Sequence, residues 1–192
     1  MIQLKEITKK YSKFAAVDRL NLAVEKGEVF GFIGPNGAGK TTTIKMMGGV
    51  LEPTSGTVTI AGTNMQDQPE EAKRKVGYIP DRPYLYEKLT GMEFLRFTAD
   101  LYGVAANGFH KKAVRTLEMF SLEDWSDELI ESYSHGMKQR LIMSAALLHD
   151  PEVIIVDEPM VGLDPAAIIM VKKLFRRLAQ KGVTVFMSTH TL

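Results

Sequence analysis

The sequence predicts an α/β fold: a mostly parallel sheet flanked by helices, with an antiparallel N-terminal β subdomain and an inserted α-helical lobe. Three observations predict it. Short strands and turns fill residues 1–33, strand and helix segments alternate from about residue 136, and residues 84–133 contain no convincing strand. Such alternation is typical of a parallel sheet that is covered by helices on both faces.

The N-terminal strands are predicted from apolar patterning. Apolar residues approximate alternation from Val17 to Val24, and a Lys-Gly turn follows. The segment Val29–Ile33 is apolar throughout, which fits a buried strand. Residues 57–60 are rich in β-branched side chains and precede an Ala-Gly turn, so they predict another strand.

The middle of the chain predicts helices. Thr90 and Glu93 form a capping box, and the helix that they open carries an apolar stripe. The residues of this stripe are Phe94, Phe97 and Leu101. A second helix is predicted over 113–120. We expect residues 1–192 to form one domain, with a core of about 1–83 and 151–192 and a helical lobe of about 84–150.

Strands and helices then alternate to the end of the sequence. A helix from about Gly136 is expected to stop at Asp150-Pro151, ahead of a short strand at 153–156. Asp164 is an N-cap and the proline after it suits the first position of a helix to about residue 181. A last strand is predicted over 183–187.

Composition excludes several classes of protein. Hydrophobic residues make up 45% of the chain and charged residues 24%, as in globular domains. The formal net charge of +1 argues against a dedicated nucleic-acid binder. Cysteine is absent, so disulfides and thiolate zinc sites are excluded. The longest aliphatic runs have about five residues, whereas a membrane-spanning helix needs about 20.

The segment Gly34–Thr42 matches the phosphate-loop pattern G-x-x-x-x-G-K-[ST] between a predicted strand and a predicted helix. Glycines let backbone N–H groups point at an anion, and the helix N-terminus adds its positive dipole. Lys40 is expected to reach the β- and γ-phosphates, and the hydroxyl of Thr41 to ligate Mg²⁺. The pattern predicts a P-loop NTPase fold that binds a nucleoside triphosphate.

Two acids follow the strand at 153–156. Asp157 is expected to hold Mg²⁺, and Glu158 to orient and deprotonate the attacking water. Ligands of parallel sheets collect at the carboxyl ends of strands, so both acids should lie beside the phosphate loop. GTPases, small-molecule kinases and several ATPase classes remain open at this point, although the guanine motif N-K-x-D is absent.

Five motifs in order resemble the nucleotide-binding domain of ATP-binding cassette (ABC) proteins over essentially the whole chain. They are 34–42, 133–140, 153–159, 162–164 and 188–190. The resemblance implies that Ser134 and Gly136, in the signature motif, contact ATP held by a partner domain. It also implies that Asp164 lies in a loop that crosses the dimer interface, and that His190 senses the γ-phosphate as a catalytic residue.

The resemblance extends to the nucleotide and the metal. Tyr11 is similar to the aromatic residue that stacks on adenine. The nucleotide-binding residues implied are Tyr11, Gly34, Pro35, Asn36, Gly37, Ala38, Gly39, Lys40, Thr41 and Thr42. The Mg²⁺ ligands implied are Thr41, Asp157 and Asp81. The sequence departs from the family at Asp81, where a glutamine is usual, and in the signature motif, at His135 and Met137.

The resemblance implies an ATPase that converts ATP and water to ADP and phosphate and powers a membrane transporter through head-to-tail dimerisation. Its partners would be a second nucleotide-binding domain, identical or not, and separate transmembrane permease subunits. Its place would be cytoplasmic, peripheral on the inner face of the cell membrane. Residues 78–86 and 89–93 look most like drug- or ion-exporter subunits. The family domain normally continues beyond its histidine, so we expect a truncated C-terminus here.

Two other functions are weighed against transport. One is a non-transport ABC ATPase acting on ribosomes or DNA. However, Lys40 and Ser134 are 94 residues apart without a sustained heptad pattern, and the chain carries one cassette. The other is a nucleotide-binding module without turnover, against which the presence of Glu158 argues.

Overall fold

The structure is a computed structural model that describes residues 1–82 and 84–189. Its strands are β1 (Ile2–Tyr11), β2 (Phe14–Val24), β3 (Val29–Ile33), β4 (Ser55–Ile60), β5 (Thr63–Asn64), β6 (Val76–Ile79), β7 (Val153–Asp157) and β8 (Thr184–Thr189). Its helices are α1 (Lys40–Met47), α2 (Pro69–Arg74), α3 (Gly91–Leu101), α4 (Ala106–Met119), α5 (His135–Leu147) and α6 (Pro165–Gln180). Two 3₁₀ turns lie at Glu123–Trp125 and Ile130–Ser132.

The described residues form two compact units. The first contains Met1–Asp81, Glu152–Pro159 and 173–189, and the second contains Arg82–Pro151 and Met160–Lys172. The first unit holds both sheets, and the second is helical. The predicted α/β fold class, with its parallel sheet, antiparallel N-terminal sheet and helical insertion, is confirmed.

The parallel sheet has the strand order β3-β8-β7-β6. Every residue of β7 is buried, as is usual for an interior strand of a parallel sheet. Ile44 and Met47 of α1 join a core cluster with Ile155 of β7 and Phe186 of β8. The ring of Phe186 also stacks on Phe30 of β3, with 5.4 Å between centroids. This packing anchors α1 to the strands that carry the candidate site.

The antiparallel sheet has the order β2-β1-β4-β5. The β1–β2 register shifts near Ile7, and Glu6 has a φ of +49°. These irregularities are β-bulges, which increase the local twist of the strands. The hairpin that joins β1 to β2 turns between Tyr11 and Phe14.

The second unit contains α3, α4 and α5. Thr90 Oγ1 accepts a hydrogen bond from the Glu93 N–H at 3.2 Å, and Glu93 Oε2 accepts one from the Thr90 N–H at 2.8 Å. The predicted capping box is therefore confirmed. The apolar residues that α5 and its C-cap turn toward the interior of the second unit are buried. They include Met137, Leu141, Ala145 and Leu148.

Several details of the sequence prediction were wrong. Val29–Ile33 was expected to be buried, yet Gly31 and Ile33 are exposed, because β3 lies at the edge of the described sheet. On α3 only Phe94 of the predicted stripe is buried, and Phe97 and Leu101 are exposed. Helix α4 begins at Ala106 rather than near residue 113, without a side-chain cap to mark its start.

Among the described residues, no helix is long and apolar enough to cross a membrane.

Candidate active site

The phosphate loop connects β3 to α1. Residues 34–39 form a turn in which the Ala38 N–H donates to the Pro35 carbonyl at 3.2 Å. Gly37 and Gly39 have φ of +83° and +85°, in the left-handed region that glycine adopts without strain. Helix α1 has neither a capping side chain nor an acid in its first turn. Its N-terminal N–H groups and positive dipole end therefore suit an anion.

Lys40 is the first residue of α1, and only 8% of it is exposed. Its Nζ donates to the carbonyl oxygens of Gly34 at 2.5 Å and Pro35 at 3.0 Å. A buried ammonium needs such partners. The lysine therefore lies folded under the loop, with its charge against the turn that is expected to surround the phosphates.

The β1–β2 hairpin lies close to the phosphate loop. A Cβ on Gly39 would collide with the carbonyl oxygen of Ala16 in β2. Tyr11, at the end of β1, is 50% exposed, and Lys9 Nζ lies 5.6 Å from the centre of its ring. The hairpin thus has an accessible aromatic ring on a strand pair that touches the loop. Its role toward adenine stays a prediction.

The two acids occupy different environments. Asp157 is the last residue of β7 and is 2% exposed, whereas Glu158 is half-buried with a φ of +50°. Ser188 Oγ, in β8, donates to Asp157 Oδ1 and accepts the backbone N–H of Glu158 at 3.3 Å. Sequence reasoning assigned Ser188 no role of its own. The signal was a polar residue directly after the apolar run 185–187 of β8.

Strand register brings the loop and the acids to one edge of the sheet. Phe32 of β3 pairs with Ser188, and Ser188 pairs with Asp157 in parallel register. Since neighbouring strands are about 4.8 Å apart, β3 and β7 are separated by about 10 Å. The loop after β3 and Glu158 after β7 therefore face the same space beyond the carboxyl ends of the strands, where parallel sheets bind ligands.

The donors fit magnesium. The candidates are the hydroxyl of the exposed Thr41 and the carboxylate of Asp157, both oxygen ligands of the kind that Mg²⁺ prefers. Among the described residues, no group of three or more His, Asp or Glu forms a metal site by itself. This donor set suits an ion that also takes phosphate oxygens as ligands. Asp81 lies at the same edge, two residues after β6, and is exposed. Its part in metal binding stays a prediction.

The pKa of Tyr78 reflects the electrostatic environment at the carboxyl edge of the parallel sheet. Tyr78 lies in β6, next to β7. Burial, and then the negative charge of Asp157, raise the pKa of the Tyr78 phenol to about 12. The Tyr78 phenol therefore stays protonated at physiological pH.

The signature residues lie in the second unit, at the start of α5. Ser134 is the N-cap, and its Oγ accepts the Met137 N–H at 3.2 Å. A Cβ on Gly136 would lie 3.4 Å from the Gly162 carbonyl oxygen, so the glycine allows a close approach of that loop. The His135 ring lies against Gly162, since a Cβ there would be 2.6 Å from His135 Nε2. The histidine that departs from the family pattern therefore covers this loop.

Asp164 directly precedes α6 and lies in the same unit as the signature residues. Its Oδ1 accepts the Ala167 N–H at 2.8 Å, which confirms the predicted N-cap. Its role at a dimer interface stays a prediction, as do the partner-ATP contacts of Ser134 and Gly136. His190 lies outside the described residues.

Comparison with known proteins identifies relatives along the whole chain. A family model described as "ABC transporter" matches residues 17–161. The probable multidrug ABC transporter ATP-binding protein YbhF of Escherichia coli (strain K12) is 39% identical over 190 residues, which cover 99% of this chain and 33% of that protein. The bacitracin transport ATP-binding protein BcrA of Bacillus licheniformis is 41% identical over 195 residues, covering 100% of this chain and 62% of that protein. The chain thus spans between a third and two thirds of the length of these relatives.

Solved structures match the fold. An ATP-binding subunit of an ABC transporter has a TM-score of 0.93 at 36% identity, covering 100% of this chain and 80% of that one. The ATP-binding cassette MJ0796, in a dimeric post-hydrolysis state bound to ADP and Pi, has a TM-score of 0.90 at 28% identity. That match covers 100% of this chain and 88% of MJ0796.

Proposed function

Since the chain belongs to the ABC transporter family, we propose that it is the ATP-binding and ATP-hydrolysing subunit of a membrane exporter. One observation carries the proposal: the phosphate loop and the Asp157-Glu158 pair meet at the carboxyl edge of one parallel sheet. Relatives with multidrug and bacitracin transport names support an antimicrobial or drug-like cargo. They also favour transport over action on ribosomes or DNA.

The loop and Lys40 bind the triphosphate. Backbone N–H groups of residues 34–39 and the N-terminus of α1 surround the phosphates, and Lys40 Nζ moves from the loop carbonyls to the β- and γ-phosphate oxygens. Tyr11 stacks on the adenine. Thr41, Asp157 and Asp81 would hold Mg²⁺, which would neutralise phosphate charge. These contacts position the γ-phosphoryl group beside Glu158.

Glu158 supplies the base. Its carboxylate orients a water in line with the γ-phosphorus and accepts one of its protons. A bond forms between the water oxygen and the γ-phosphorus, and the bond to the bridging oxygen breaks, so that ADP and phosphate are produced. Ser134 and Gly136 complete the site of a partner domain, and Asp164 crosses the interface. His190, by the family resemblance, senses the γ-phosphate.

The subunit works at the inner face of the cell membrane, from the cytoplasmic side, with a second nucleotide-binding domain and separate transmembrane subunits. ATP binding closes the two domains, and hydrolysis reopens them. Cassette dimers such as MJ0796 support the closure step.

The test uses the full-length protein, purified from gently solubilised membranes. We expect a multispanning membrane subunit to copurify with it, and recovery only with ribosomes or DNA would contradict the transporter role. In that complex, Glu158→Gln should lower ATP turnover by about 100-fold or more, because the base is lost. Affinity for a fluorescent ATP analogue should stay within about two-fold, since Glu158 contacts the water rather than the nucleotide.

Glu152→Gln is the matched control. Glu152 precedes β7 at the opposite edge of the sheet, and it is exposed. The same chemical change there should leave turnover at the wild-type rate. Normal turnover in Glu158→Gln would show that the base has been assigned to the wrong residue.

A further inference from the structure

Ser188 is a buried hydroxyl between the two acids of the candidate site. It is 0% exposed and lies in β8, directly opposite Asp157 of β7. Its Oγ donates to Asp157 Oδ1 and accepts the Glu158 N–H at 3.3 Å. A hydroxyl has a single proton, and Ser188 donates it to the Asp157 carboxylate. The lone pairs of the same oxygen can therefore accept the backbone N–H of Glu158.

The Asp157 contact orients a carboxylate that has little access to water. Asp157 is 2% exposed, so its oxygens depend on protein partners. Ser188 donates its hydrogen bond to Oδ1 and not to Oδ2, so the two carboxylate oxygens are distinguished. The hydroxyl therefore sets the rotation of the carboxylate about its Cβ–Cγ bond.

The Glu158 contact supports an unusual backbone conformation. Ladder pairing of β7 with β8 ends at Asp157, and Glu158 turns away with a φ of +50°. Residues other than glycine adopt this region only where surrounding contacts hold them there. The Ser188 oxygen accepts the N–H at this turn, so it fixes the direction in which the Glu158 side chain leaves the strand.

We propose that Ser188 is a positioning residue for ATP hydrolysis, whose single hydroxyl orients the Asp157 carboxylate and the Glu158 turn together. The inference rests on the proposed ATPase function and adds to it a residue that touches neither nucleotide nor water. Both acids act through geometry, since phosphoryl transfer depends on positioning, and a misplacement of about 1 Å costs about 100-fold in rate.

Thr184 provides a matched control on the same strand. It is also 0% exposed, and its Oγ1 donates to the Glu25 carbonyl and accepts the Gly27 N–H, both at 3.1 Å. Thr184 and Ser188 therefore make the same kind of paired contact. Thr184 lies at the amino end of β8, at the edge of the sheet away from the acids.

The experiment compares Ser188→Ala with Thr184→Val in the full-length complex, at saturating Mg²⁺. Ser188→Ala should lower kcat by about 10- to 100-fold and change KM for ATP by less than about three-fold. Thr184→Val should keep kcat within about two-fold, although both variants lose a buried hydroxyl and melt at a lower temperature. Ser188→Cys retains a weak donor and should fall between the wild type and Ser188→Ala.

Two results would overturn the inference. One is a kcat for Ser188→Ala, or for Ser188→Cys if the alanine variant does not fold, that equals the kcat of Thr184→Val. The other is a loss confined to KM, which would mean that Ser188 supports nucleotide binding instead. The Glu158→Gln variant distinguishes these results from failure of the proposed function. Normal turnover in Glu158→Gln would contradict the assignment of Glu158 as the base, whereas equal kcat values for Ser188→Ala and Thr184→Val would contradict the positioning role of Ser188.

Discussion

At the scale of single residues, Gly39 holds the phosphate loop against the hairpin. Its φ is +85°, and a Cβ there would collide with the Ala16 carbonyl oxygen and lie 3.1 Å from Val17 Cγ2. Gly62 has a similar φ of +79°, with nothing within 4 Å of a Cβ. The two glycines therefore separate the cost of a left-handed backbone from the cost of a collision with a neighbouring strand.

Gly62→Ala should lower the free energy of unfolding by about 1 kcal/mol, which is the cost of the left-handed conformation alone. Gly39→Ala should lower it by about 2 to 4 kcal/mol, because β2 or the loop must also move. The same movement should abolish binding of a fluorescent ATP analogue. Urea denaturation measures the first effect and titration the second. Equal destabilisation by the two variants would contradict the close approach of Ala16.

At the scale of elements, α3 and α5 begin with hydroxyl caps of matching geometry. Thr90 Oγ1 accepts the Glu93 N–H, and Ser134 Oγ accepts the Met137 N–H, each at 3.2 Å. Such a cap contributes about 1 kcal/mol to stability. The proposed function gives Ser134 a second contact, with ATP held by a partner domain, and gives Thr90 none.

Ser134→Ala and Thr90→Ala should each lower the free energy of unfolding by about 1 kcal/mol, because each removes one cap. Only Ser134→Ala should lower ATP turnover as well, by about 10-fold or more, since it also loses a charge-assisted hydrogen bond to phosphate. Thermal melts and phosphate-release assays on the full-length complex distinguish the two effects. Similar turnover in both variants would reduce Ser134 to a structural cap.

Starts of helices were predictable from the sequence where a local signal exists. The Thr90 capping box and the Asp164 N-cap each depend on side chains within four residues of the helix start. Helix α4 has Ala105 at its N-cap position and no side-chain cap, so its start carries no such signal. Phe97 lies on the apolar stripe of α3 but is 40% exposed, because burial depends on which surface packs against the helix.

At the scale of the whole molecule, some features of the candidate site are predicted by sequence motifs, and others depend on the register of the strands. Gly34–Thr42 and the Asp157-Glu158 pair follow patterns that read along the chain. Ser188 lies in the motif at 188–190, but its contacts with Asp157 and Glu158 form only because β8 lies between β3 and β7, 30 residues after Glu158. Pairings of this length depend on sheet topology, so the sequence marks Ser188 as a polar residue near the end of a strand but does not identify its partners.

Each unit contains a tyrosine whose raised pKa makes stability sensitive to alkaline pH. In the first unit, burial and then the charge of Asp157 raise the pKa of Tyr78 to about 12. In the second, burial and then the charges of Glu128 and Asp127 raise the pKa of Tyr133 to about 12. The Tyr133 hydroxyl also donates to the Trp125 carbonyl. Both phenols therefore favour their protonated forms when the chain is folded.

These shifts predict that stability falls as pH rises from about 10 to about 12. In this window the unfolded chain has lost phenolic protons that the folded chain keeps, so the free energy of unfolding decreases with pH. Below pH 10 both states hold the protons and the contribution is fully present. Urea denaturation between pH 8 and 12 should show a shallower decline in the double variant Tyr78→Phe/Tyr133→Phe than in the wild type, even though Tyr133→Phe loses a hydrogen bond at every pH. Parallel declines in the two proteins would contradict the raised pKa values.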